Sequence, residues 1–132
     1  MTALEHPRVL LVDDSDVILD RASTALSQEC DIIGAVTEGQ AALDAVGALH
    51  PDVVVPDISM PGMSGIEVAS RLRRSGSTIP IVFLTIHENE ELVRATELAG
   101  GSGYVVKTLL ASDLTVAVQE ALAGRRFVSK LR

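Results

Sequence analysis

Four short apolar runs in this chain each stop abruptly on a polar side chain. Val9-Leu-Leu-Val12 runs into Asp13-Asp14, Val53-Val-Val-Pro56 into Asp57, Ile81-Val-Phe-Leu84 into Thr85, and Tyr104-Val-Val106 into Lys107. Runs that are apolar at every position, not at alternate ones, suit strands covered on both faces, which is the environment of a parallel sheet. If the four strands run the same way, their polar endings meet at one edge. In open parallel sheets that carboxyl edge is where ligands and chemistry gather. Asp57 is the sharpest case, because the run before it breaks at once into Ile-Ser-Met-Pro-Gly62-Met-Ser-Gly65, a turn that presents one carboxylate at the rim.

Segments with helical spacing separate these runs. Strands are expected near 8–12, 31–36, 52–56, 80–85 and 103–106. A first helix starts at the N-cap Ser15 and buries Ile18, Leu19, Ala22, Ala25 and Leu26. A second, near 38–48, turns Ala42, Leu43 and Val46 inward and closes at His50-Pro51. The third begins near Ser64, buries Ile66, Val68, Ala69 and Leu72, and leaves Arg71, Arg73 and Arg74 to solvent at the negative end of its dipole. The fourth runs from about Asn89 to Ala99 before Gly100-Gly101. The fifth takes Ser112 as its cap, buries Leu114, Ala117, Val118, Ala121 and Leu122, and ends at Gly124. Strand and helix alternating five times predicts right-handed βαβ crossovers and a doubly wound parallel α/β sheet.

At 132 residues the chain has the length of one domain. A core of Val, Leu, Ile and Ala is expected, since 47% of residues are hydrophobic but only 2% aromatic. A net charge of -7 argues against direct binding to nucleic acid, which needs clustered Lys and Arg. Cys30 is the single cysteine, so an intramolecular disulfide is excluded, a reducing compartment fits, and a small buried hydrophobe is its expected role. The first residues do not read as a secretory signal, and no run approaches the roughly 18 apolar residues that span a bilayer. The expectation is a soluble, cytoplasmic chain with no membrane partner.

The edge residues imply a chemistry. Asp13, Asp14 and Asp57 would repel one another, and crowded carboxylates share protons or collect a cation. Oxygen ligands with no His or Cys among them suit Mg2+, which leaves room for waters and a phosphoryl oxygen. Lys107 adds a positive charge and Thr85 a hydroxyl donor. An ionised carboxylate, a divalent metal and a lysine are the parts needed to accept a phosphoryl group in line without a general base. Taken singly, each residue has a plainer role: a turn-forming aspartate, a strand-end threonine, a solvated lysine. Their shared position after apolar strands favours the joint reading. Gly101-Ser-Gly103 precedes a strand instead of opening a helix, which removes a dinucleotide loop, and no GxxxxGK[ST] sequence occurs. His6, His50 and His87 are dispersed, and only His87, two residues past Thr85, lies where it overlooks the acidic edge.

Leu11-Val-Asp13-Asp14, Asp57-Ile-Ser-Met-Pro-Gly-Met-Ser-Gly65, Leu84-Thr85 and Gly103-Tyr-Val-Val-Lys107 together resemble the receiver domain of two-component response regulators. The resemblance covers nearly the whole chain. It implies a flavodoxin-like, five-stranded sheet of order 2-1-3-4-5 and phosphorylation of Asp57 by a sensor histidine kinase, with Mg2+ as cofactor. It assigns the metal to Asp14, Asp57 and the backbone carbonyl of Ser59, with Asp13 acting through water. Thr85 and Tyr104 become the switch pair, repacking the surface of helix 4, strand 5 and helix 5. The ending Gly124-Arg-Arg-Phe-Val-Ser129 is similar to receivers of the NarL/FixJ group, whose output is a DNA-binding helix-turn-helix domain. On that resemblance residues 1–124 are the receiver and 125–132 a tail or the start of a linker. Homodimerisation on phosphorylation and transcriptional output follow from it, and the domain is a regulatory phosphoacceptor instead of a turnover enzyme.

Three positions depart from the pattern. Pro56 removes a backbone donor from the central strand, Ile86 stands where a small residue is common, and Thr108 replaces a frequent proline. Slower phosphorylation by small donors is expected. The rival readings are a degenerate receiver used only for docking, a Mg2+-dependent phosphohydrolase, and a flavin-binding module. The second usually has an acid where Ser59 stands, and the third would face repulsion from Asp13-Asp14-Ser15-Asp16.

Overall fold

The structure, a computed structural model, describes residues 6–130. Six strands alternate with five helices: β1 Arg8–Val12, α1 Asp16–Leu26, β2 Asp31–Val36, α2 Gly39–Leu49, β3 Val53–Pro56, α3 Gly65–Arg74, β4 Val82–Thr85, α4 Glu90–Leu98, β5 Gly103–Val106, α5 Leu110–Leu122 and β6 Phe127–Val128. Every strand pairing is parallel.

Alternate side chains of the buried strands feed two separate cores. Val9, Leu11, Val53, Val55, Val82, Leu84 and Val105 pack with α1 and α5, and Cys30 is buried among them. Leu10, Val12, Val54, Ile81, Phe83, Tyr104 and Val106 pack with residues of α2, α3 and α4 on the opposite face. Helices on both faces are what runs apolar at every position require.

Most helix starts follow from capping chemistry. Ser15, Ser64 and Asn89 each accept a hydrogen bond from an amide three residues on, at 3.3, 3.1 and 3.1 Å. The fifth start is a correction. Ser112 does not cap α5; the chain leaves β5 through a 3-10 turn at Lys107–Leu109 and the helix begins at Leu110. The turn supplies the nucleating hydrogen bond, so Ser112 falls inside the first turn and donates back to the Leu109 carbonyl. Arg73 is the second correction. It is half-buried, and its guanidinium donates to the carbonyls of Ser77 and Gly100, tying the end of α3 to the end of α4, while Arg71 and Arg74 are exposed as expected.

The expected five-stranded sheet is found in two three-stranded pieces, β2-β1-β3 and β4-β5-β6, joined by bridges between Val54 and Ile81 and between Asp57 and Leu84. Pro56 explains the division. The amides of Val54 and Ile58 donate across the seam to the carbonyls of Pro80 and Leu84. In that register the donor between them belongs to residue 56 and faces the Val82 carbonyl, and proline has no N–H. The strand β6 has no counterpart in the sequence reading. It lies in the segment read as a tail, and it extends the second piece beyond β5.

Candidate functional site

Strand ends bring the predicted residues together. The Asp13 amide donates to Val36 at 3.0 Å and the Asp57 amide to Val12 at 2.8 Å, so both carboxylates are set by the last rungs of the ladder. Asp13 is 1% exposed and Asp57 4%, whereas Asp14 faces solvent. Carboxylate oxygens of the three lie within 4.8 Å of one another. Lys107, first residue of the turn after β5, reaches across with its ammonium 2.9 Å from Asp13 Oδ2 and 3.2 Å from Asp57 Oδ2.

The charges are unequally satisfied. Asp13 Oδ1 accepts from the Ser15 amide at 2.9 Å, and Asp57 Oδ1 from the Ser59 amide at 3.3 Å. Asp13 Oδ2 is buried, and the Lys107 ammonium at 2.9 Å is the cation it faces. Burial, and then the neighbouring Asp13, push the Asp57 carboxyl above its usual range, and Lys107 and the Ser59 amide do not offset them. Burial alone would lower Lys107, but Asp13 and Asp57 together hold its ammonium above the ordinary lysine value. One lysine among three acids leaves excess negative charge and a buried oxygen lone pair, an all-oxygen set able to hold a hard divalent cation.

Thr85 is 1% exposed, and its Oγ1 accepts from the His87 amide at 3.1 Å. Tyr104 is buried to 1% among the residues packed with α2, α3 and α4, and its hydroxyl donates to the His87 carbonyl at 2.7 Å. The two residues read as a switch pair are thus joined through one backbone. His87 enters through its amide and carbonyl, which no side-chain motif displays. Ser59 is exposed on the turn after Asp57. Gly65 closes that turn, and a Cβ there would lie 2.1 Å from the Asp57 carbonyl oxygen. Ile86 is 69% exposed.

A parallel α/β fold wound on both faces, with acids, a hydroxyl and a lysine on its carboxyl edge, defines a class, and the chain belongs to the response regulator receiver domain family, whose model matches residues 9–119. It is similar to response regulator GacA of Pseudomonas viridiflava, 32% identical over 124 residues that cover 92% of this chain and 58% of the relative. It is also similar to the nitrate/nitrite response regulator protein NarL of Escherichia coli K12, 30% identical and covering 98% of this chain and 61% of the relative. The chain therefore spans about three fifths of the curated relatives it matches. Among solved structures, a LuxR-family two-component response regulator from Aurantimonas sp. SI85-9A1 superposes with a TM-score of 0.89 at 28% identity, covering 94% of this chain and 90% of that one. The chain is a receiver domain of a two-component system.

Proposed function

We propose that Asp57 accepts a phosphoryl group from the phosphohistidine of a sensor histidine kinase. An Asp57 carboxylate oxygen attacks phosphorus, the P–N bond breaks, and the histidine leaves as an acyl phosphate forms on the aspartate. The observation that carries this reading is the Lys107 ammonium bridging Asp13 and Asp57 beside a third carboxylate. Lys107 neutralises charge on the incoming oxygens, and Thr85 donates its hydroxyl to one of them. Asp14, Asp57 and the Ser59 carbonyl would hold Mg2+, with Asp13 contributing through water. When bound, that cation neutralises the phosphoryl oxygens and lets two anions approach.

On this reading the two sheet pieces act as one sheet of order 2-1-3-4-5 with β6 outside β5. Residues 1–124 are the receiver, and 125–132, whose Phe127 and Val128 first pair with β5, lead toward an output. Thr85 and Tyr104 form the switch pair that reshapes the face of α4, β5 and α5, and the domain regulates instead of turning over a substrate. A cytoplasmic setting, homodimerisation on phosphorylation and transcriptional control through a separate DNA-binding module belong to the same proposal, supported by the likeness to NarL and GacA.

Intact mass after prolonged incubation with Mg2+ and a phosphodonor, either acetyl phosphate or a phosphorylated histidine kinase, tests it. A gain of one phosphoryl group is expected for the wild type and none for Asp57→Asn. Equal labelling of both, or of neither, would reject the assignment.

A further inference from the structure

The segment after α5 does not leave the domain. Gly124, at φ 79°, turns the chain back, Arg126 forms an ion pair with Glu97 of α4, and Phe127 and Val128 pair with Gly103 and Tyr104. Ser129 then locks the strand. It is 1% exposed, its amide donates to the Tyr104 carbonyl at 2.8 Å, and its Oγ accepts from the Val106 amide at 3.1 Å while donating to Asp113 Oδ2 at 2.7 Å. A ladder would give the Val106 amide a backbone carbonyl. Here one side-chain hydroxyl replaces it, so the end of a two-residue strand depends on a single group.

That group touches the stretch of β5 that carries the site. Tyr104, whose carbonyl Ser129 binds, donates its phenol to His87, and the His87 amide binds Thr85. Val106, whose amide Ser129 binds, directly precedes Lys107, whose ammonium lies on Asp13 and Asp57. From these contacts we infer that β6 is a latch on the edge of β5, with Ser129 as its positioning residue, and that its seating is coupled to the charge state of the Asp57 site. The inference rests on the phosphoacceptor reading. A new anion at Asp57 shifts Lys107 or Tyr104, and the two backbone groups holding Ser129 shift with them. Coupling is reciprocal, so loosening the latch changes anion affinity at Asp57 by the same factor.

Amide hydrogen exchange on the whole chain, alone and with Mg2+ plus beryllofluoride as a phosphoryl mimic, tests this. The amides of Ile58 and Ser59 report occupancy of the site; those of Val106 and Ser129 report the latch. A change of fivefold or more at Val106 and Ser129 accompanying a change at 58 and 59 is the expected result. A change at 58 and 59 alone overturns the coupling, and none at 58 and 59 overturns the phosphoacceptor reading together with this inference. Ser129→Ala should speed Val106 exchange at least tenfold without added anion, with Ser129→Thr restoring protection. Asp113→Ala, on the half-buried rim, removes the oxygen that accepts from Ser129 and gives the same readout if Ser129→Ala does not fold, and unchanged exchange at Val106 in either variant overturns the latch.

Discussion

Asp57 combines an unfavourable electrostatic position with the phosphoacceptor role proposed for it. Because burial and Asp13 raise its pKa, the folded chain holds a proton there to higher pH than the unfolded chain does. Ionising it therefore removes stability as pH rises from the ordinary aspartate value of 3.8 through the raised one. Asp57→Asn escapes this loss and should be more stable than the wild type at neutral pH, with a higher urea midpoint. In urea unfolding followed against pH, the difference should vanish below the ordinary aspartate value; a gap that widened on acidification would contradict burial as the cause. Gly65 is constrained from the other side of the same residue. An alanine Cβ would meet the Asp57 carbonyl oxygen, which is backbone and cannot rotate away. Gly65→Ala should cost roughly 3 kcal/mol, at the upper end for overpacking, with a lower urea midpoint as the readout. Ile86 is solvent-facing beside Thr85, and Ile86→Ala should speed labelling by acetyl phosphate if its bulk narrows access; equal rates would reject that argument.

At the scale of elements, the seam between β3 and β4 follows from a single ring. Restoring a donor with Pro56→Val should give the buried Val82 carbonyl a partner, relieving a penalty of roughly 1–3 kcal/mol. Against this stands the unfolded-state entropy that proline removes, about 0.4–1 kcal/mol. The balance favours the variant by about 1 kcal/mol, and a protected new amide at position 56 in hydrogen exchange would accompany it. No gain in urea midpoint would mean that the Val82 carbonyl already has a partner. The starts of α1, α3 and α4 were legible because Ser15, Ser64 and Asn89 sit before apolar periodicity. The start of α5 was not, because the competing signal is a backbone turn whose hydrogen bonds carry no residue signature. Arg73 was misread for a related reason. Its place among three arginines suggests solvent, while its partners, the carbonyls of Ser77 and Gly100, are set by how α3 and α4 pack.

For the whole molecule, a cation held at the acidic edge, as proposed, would be linked to the fold. A divalent ion that binds only the folded chain stabilises it by roughly 1.4 kcal/mol at about ten times its Kd. For a domain of this size that raises Tm by about 5 °C. Mg2+ should do so for the wild type and not for Asp14→Asn, an exposed position whose change leaves the core intact; an equal shift in both would place the ion elsewhere. By itself the sequence determined that strands are parallel and covered on both faces, and that Asp13, Asp14, Asp57, Thr85 and Lys107 share an edge. Apolar runs buried on both sides admit few other arrangements, and parallel strands end together. Only the tertiary structure decided that Lys107 lies between two buried carboxylates, that His87 joins Thr85 to Tyr104 through its backbone, and that Ser129 returns to the edge of β5. Those contacts join groups distant in the chain through amides and carbonyls that every residue possesses, so no pattern of side chains announces them.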